Sequence, residues 1–263
     1  MTSFSSSYYF ALACGYFTGL LGWWLANRWK PAIWNSTPEH HFAHPWWDTL
    51  LAFVAAGATL AIGRLYTGGF LLPKSFILGP VLTEVVNQAM IFSPFIMLLI
   101  ARHQPFATAW LSPRHVPERL GIGLALGLAA ISVFVLIRQP PDTLGDILGN
   151  VYHVKNGGYA TQILLEDIAI AVVFVRFRSA VGARWFLIVL ITVAFLFSAS
   201  HYPAKLGEGL SFMTATRDVI IDGVLASAII YVLQRSKDVL WFWCHHFAMD
   251  MMQFYGGNPA VHS

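Results

Sequence analysis

Apolar residues run through this chain in long blocks separated by short polar connections, a pattern that predicts helices rather than strands. Eight such blocks stand out, near 9–27, 47–66, 81–101, 120–137, 161–177, 185–201, 218–233 and 238–254. Several exceed the roughly 18 residues that cross a bilayer core. Proline, charge and turn residues collect between them, in "KPAIWNSTPEHHFAHP", "RHQPFATAWLSPRHVPER" and "RQPPDTLGDILGN". No fixed-period repeat or low-complexity tract interrupts the series. The expected fold is all-α: a polytopic membrane bundle of about eight transmembrane helices, forming one integral domain over residues 1–263. The first block follows "MTSFSSSYYF", without a basic lead, and ends at "NRWK", so it reads as a retained span rather than a signal peptide.

Composition strengthens the membrane reading. The chain is 57% hydrophobic and 11% charged, whereas charged residues make up about 25% of a typical soluble domain. A net charge of +3, spread between segments, suits basic loops beside membrane helices and gives no reason to expect nucleic acid. Arg28, Lys30, Arg102, Arg114, Arg119, Arg176, Arg178, Arg184, Arg235 and Lys237 fall on the richer side of the expected topology. The positive-inside rule places that side in the cytoplasm and both termini outside. The setting is a cell membrane, plasma or inner. Cys14 and Cys244 both lie in apolar blocks, as packing residues rather than a disulfide framework.

Against this background a few polar residues are conspicuous. "LLEDIAIA" carries Glu166 and Asp167, "FSASHYPAK" carries His201, and "WFWCHHFAMDMMQF" carries His245, His246 and Asp250. One Asp at mid-bilayer costs roughly 2.5–3.5 kcal/mol unless a partner or water compensates it. Ionisable groups within membrane helices therefore suggest a functional site, the alternative being pairs that fix helix packing. Glu166 lies about 15 Å along its helix from Arg176, His201 about 25 Å from Arg184, and His246 about 14 Å from Lys237, at 1.5 Å per residue. With tilt and uneven loops those depths allow convergence, and Asp250 follows His246 by one turn on the same face. A Glu and a His sharing a water make a general base near neutral pH. A second His with an acid or amide can hold an oxyanion. That set suffices for peptide hydrolysis.

"EDIAIA", "FSASH" and "HFAMD" occur in the order of the EExxxR, FxxxH and HxxxN/D motifs of the CPBP intramembrane proteases. That family includes the type II CAAX prenyl endopeptidases and bacteriocin-processing or immunity relatives. The chain resembles it over about residues 161–254, including "DGVLASAIIYVLQRSKDVLWFWCHHFAMD", and "RHVPERLGIGLALGLAA" resembles the glycine-rich helix that often precedes this core. The resemblance implies a membrane-associated or prenylated peptide substrate. It implies that Glu166 and His201 activate water, that Asp167 supports Glu166, and that His246 and Asp250 form the oxyanion site. No resident cofactor is expected under the glutamate mechanism. Zinc held by Glu166, His201 and His246 is the alternative, though no HExxH is present. One departure stands out: the motif's arginine position holds Ala171, and Arg176 lies too far along the helix to replace it. A degenerate relative acting as a membrane scaffold, or a small transporter, is the rival class.

Other polar groups have narrower readings. Glu39, His40, His41 and His44 suit a wet juxtamembrane loop beside interfacial tryptophans, or a metal site. Glu84, Asn87 and Gln88 share a helical face, to line a cavity or to bind neighbouring helices. Asp218 and Asp222 are spaced alike, with Asp218 at the interface. His245 should point away from His246 and pack with one hydrogen bond.

Overall fold

The structure is a computed structural model that describes residues 6–34, 40–73, 76–207 and 209–256. In chain order its α-helices are α1 (Ser6–Trp29), α2 (Pro31–Trp34), α3 (Pro45–Thr67), α4 (Pro80–Ala101), α5 (Val116–Arg138) and α6 (Leu144–Val151). They continue as α7 (Gly157–Val181), α8 (Phe186–Ser200), α9 (Tyr202–Gly207), α10 (Phe212–Ser236), α11 (Val239–Met251) and α12 (Gln253–Gly256). Among the described residues there is no strand, and the fold is all-helical. Among the described residues, six helical segments are long and apolar enough to cross a membrane: Ser7–Trp29, Pro45–Thr67, Pro80–Ala101, Val116–Arg138, Val154–Val181 and Ala183–Gly207.

The last two apolar blocks also fold as helices but fall outside those six. Helix α10 carries Arg217, Asp218 and Asp222 in its first half. Helix α11 has 13 residues, about 20 Å at 1.5 Å per residue, short of a bilayer core.

Local chemistry explains the boundaries. Proline occupies the first turn of α3, α4 and α5, where its missing N–H costs nothing. Ser211 caps α10 by accepting from the Thr214 amide, and Thr143 caps α6 by accepting from that of Asp146. Gly182, at φ +90°, makes the left-handed turn that joins α7 and α8 into a helical hairpin.

The helices group into two compact units. In the first, residues 1–36, 113–156 and 240–263, α1 packs along α5, and α11 is fitted closely to both. A Cβ at Gly123 of α5 would lie 2.6 Å from the Trp241 carbonyl oxygen, so the glycine lets the two backbones meet. Trp23 stacks on Trp241 with ring centroids 6.2 Å apart, and Trp34 stands edge-on to both.

The second unit, residues 37–112 and 157–239, is built around α7. Helices α3, α4 and α8 pack on it, and α10 packs on α8. Every residue from Asp167 to Phe174 is buried, as expected of a helix that is apolar nearly all round. Ser198 of α8 donates to the Val219 carbonyl of α10 at 2.7 Å, satisfying a buried hydroxyl within that pair.

Arg176 and Arg119 depart from the loop positions expected of them. Both side chains are buried. The Arg176 guanidinium donates to Val172 O (3.1 Å), Thr108 Oγ1 (3.3 Å) and Gln104 Oε1, and it lies over the Phe42 ring. Gln104 Nε2 donates in turn to Asp48 Oδ1 at 2.9 Å, the same oxygen that accepts from Arg102 Nε at 2.8 Å. One polar cluster thus ties the start of α3, the end of α4 and the C-terminal part of α7. Asp222 also finds a partner, Lys205 of α9, at 3.0 Å.

Candidate functional site

The second unit encloses a cavity of about 560 Å³ between α3, α4, α7 and α8. Phe53, Ile91, Phe92, Phe95, Val193 and Leu196 supply much of its apolar wall. Leu60 and Leu196 line it while remaining about half exposed, so it opens outward past them. Glu166 of α7 and His201, just past α8, both lie on its wall. They are joined there by Gln88, Gln162, Arg64, Tyr66 and Ser200.

Helix geometry explains which acid faces the cavity. Successive residues of a helix point about 100° apart. Glu166 is half-buried and lines the space, whereas Asp167, one position on, is fully buried and absent from the lining. Gln162, one turn earlier, donates through Nε2 to Glu166 Oε1 at 2.8 Å and holds the carboxylate in place.

His201 takes its orientation from the phenylalanine of its own motif. Its Nδ1 lies 3.1 Å from the Phe197 carbonyl oxygen, and the two rings meet edge-on at 5.1 Å. A carbonyl only accepts, so this contact places the proton on Nδ1 and leaves Nε2 as the basic nitrogen. The i, i+4 spacing of Phe197 and His201 on one helical face permits both contacts. His201 is exposed.

A second polar group faces the cavity from α3 and α4. Tyr66 donates its hydroxyl to Glu84, 2.9 and 2.8 Å from the two carboxylate oxygens, and Gln88 Nε2 donates to Glu84 Oε1 at 2.7 Å. Asn87 turns elsewhere: its amide accepts from Leu72 N at 3.1 Å and donates to Leu72 O at 2.9 Å, clamping the chain between α3 and α4. The two readings of this helical face therefore divide among its residues. Gln88 and Tyr66 line the cavity, and Asn87 serves the loop.

His246 and Asp250 belong to α11, in the first unit. His246 is buried between Phe242, with ring centroids 5.5 Å apart, and Tyr16, at 6.4 Å. Asp250 is half-buried near the end of that helix. His245 is fully buried, edge-on to Tyr16, and occupies the space above Gly19, where a Cβ would lie 2.4 Å from its ring. The expected hydrogen bond is not formed: the Leu126 carbonyl lies nearby, but neither ring nitrogen has a partner at normal geometry.

Ala171 is fully buried in α7. Among the described residues, no three His, Cys, Asp or Glu side chains gather as a metal-binding group. Glu39 lies outside the described residues, and His40 packs edge-on against Phe42. Neither Cys14 nor Cys244 forms a disulfide. Sequence reasoning missed the Asp48, Arg102, Gln104 and Arg176 cluster and the role of Tyr66. The one available signal was an acid, Asp48, in the first turn of an apolar run. No family model, no curated protein and no solved structure matches the chain.

Proposed function

We propose that the protein is an intramembrane endopeptidase of the CPBP type, set in a cell membrane and hydrolysing a membrane-associated or prenylated peptide. One observation carries this reading: Glu166 and His201, from the two arms of one helical hairpin, line the same largely apolar cavity. Glu166 and the Nε2 of His201 take up a water and its proton, and the resulting hydroxide attacks the scissile carbonyl. The proton then passes to the leaving amine, so the carboxylate is restored for the next turn. Asp167 supports Glu166 from within α7. His246 and Asp250 receive the oxyanion role from motif order alone. The glutamate mechanism uses no resident metal.

A second reading is favoured by Ala171. Its burial leaves no solvent-facing route for the arginine that the motif prescribes, which suits a degenerate relative acting as a scaffold. The deciding experiment reconstitutes the full chain in liposomes with single-span reporter peptides. Under the enzymatic reading the parent cleaves a reporter, and Glu166→Gln lowers the chemical step by about a hundredfold or more while the fold persists. Equal cleavage by parent and variant refutes the glutamate mechanism, and no cleavage by the parent favours the scaffold.

A further inference from the structure

Gln88 is 5% exposed, yet it lines the cavity. Glu84 is its one hydrogen-bond partner among the described residues. Glu84 is itself fixed, by the Tyr66 hydroxyl and by contact with Gly158 of α7, where a Cβ would lie 2.2 Å from Glu84 Cγ. A carboxylate only accepts, so the orientation of the Gln88 amide is determined: nitrogen towards Glu84, oxygen away. One N–H and the carbonyl oxygen then remain unused within an apolar wall, where unmet polar groups are costly.

An amide with a spare donor beside a spare acceptor complements a peptide group. The neighbouring residue already shows this pairing, because Asn87 accepts from the N–H and donates to the C=O of a single residue, Leu72. One residue offers both groups to the same side only when its backbone is extended. From this we infer that Gln88 is the peptide-group receptor of the cavity. The site takes an extended, unwound stretch of an apolar peptide, one residue of which pairs its N–H and C=O with Gln88. Its apolar side chains lie against Phe92, Phe95 and Leu196. A lipid acyl chain would suit the same walls but leave the amide unmet. The inference rests on the peptide-hydrolase reading and supplies its substrate conformation.

The test uses the full chain in nanodiscs and a fluorescent Leu/Ala peptide of about 24 residues, long enough to span, with a central Gly-Gly pair. Each central amide is replaced in turn by an ester, and a fluorescent fatty acid provides the lipid arm. One ester position should weaken binding to the parent about tenfold, as the loss of one buried hydrogen bond does. Gln88→Leu, which removes both bonds, should weaken the all-amide peptide by at least as much, abolish the ester effect and leave fatty-acid binding unchanged. Glu166→Gln should bind the peptide like the parent and fail to cleave it. A flat ester scan overturns the inference, as does undiminished binding by Gln88→Leu or no peptide binding by the parent. If Gln88→Leu does not fold, the ester scan on the unmodified protein decides. A flat scan with intact cleavage removes the Gln88 role alone. Cleavage by Glu166→Gln equal to the parent removes the catalytic reading while the binding result stands.

Discussion

Replacing Asp48 by Asn tests whether the polar cluster at the α3, α4 and α7 junction holds the second unit together. The Asp48 side chain is 1% exposed, and its Oδ1 receives both Arg102 Nε and Gln104 Nε2. Gln104 passes the interaction on to Arg176, whose side chain is fully buried. The Arg176 guanidinium touches only neutral acceptors and the Phe42 ring, so Asp48 reaches it through Gln104. The direct partner of Asp48, Arg102, is 30% exposed, so the loss should be about 1.5–3 kcal/mol, the worth of hydrogen bonds to a charged group. Arg176→Met should cost less, about 1 kcal/mol, because Asp48 keeps Arg102. The double variant should then fall short of the summed losses by about 1 kcal/mol or more, as expected for residues in one network. Unfolding in mixed micelles, titrated with a denaturing detergent and completed as a double-mutant cycle, measures all three. Asp48→Asn within about 0.5 kcal/mol of the parent, the range of an ordinary surface change, would refute the reasoning. Strict additivity would refute it equally.

Three further outcomes follow from the same geometry. Ala171→Arg should lower thermal stability and expression without raising cleavage, because a long cation forced into a filled wall is both overpacked and unpaired; a more active, equally stable variant would contradict this. Strong chelators should leave proteolysis in liposomes unchanged, whereas loss with chelator and recovery with zinc would replace the glutamate mechanism. Asn87→Leu removes two hydrogen bonds to Leu72 and should speed hydrogen exchange at the Leu72 amide by about tenfold or more, with unchanged exchange counting against the clamp.

Apolar block length made the helices legible, and the two blocks that carry Glu166 and His201 became the α7–α8 hairpin whose arms line one cavity. Direction of burial was less legible. Arg176 lies near a helix end and reads as a loop charge, but the distant residues Phe42, Gln104 and Thr108 give it an interior site. No local pattern announces partners more than sixty positions away in the chain. Helix length at the C-terminal end was overestimated because "WFWCHHFAMDMMQF" stays apolar past Met251, where the α-helix stops. Gln88 was visible only as one of three polar residues on a face. Which of them serves the cavity depends on Glu84 meeting Tyr66, a contact made between two helices.

The central claim is that Glu166 and His201 direct water onto a peptide bond, and single-turnover cleavage in heavy-oxygen water tests it most directly. Full-length protein in liposomes is mixed with excess over a reporter peptide, and the new carboxyl terminus is examined by mass spectrometry. The account predicts one heavy oxygen per cleaved peptide with the parent, and a rate about a hundredfold lower or worse with Glu166→Gln. Cleavage by Glu166→Gln at the parent's rate, or a parent that cleaves no membrane peptide, would contradict it.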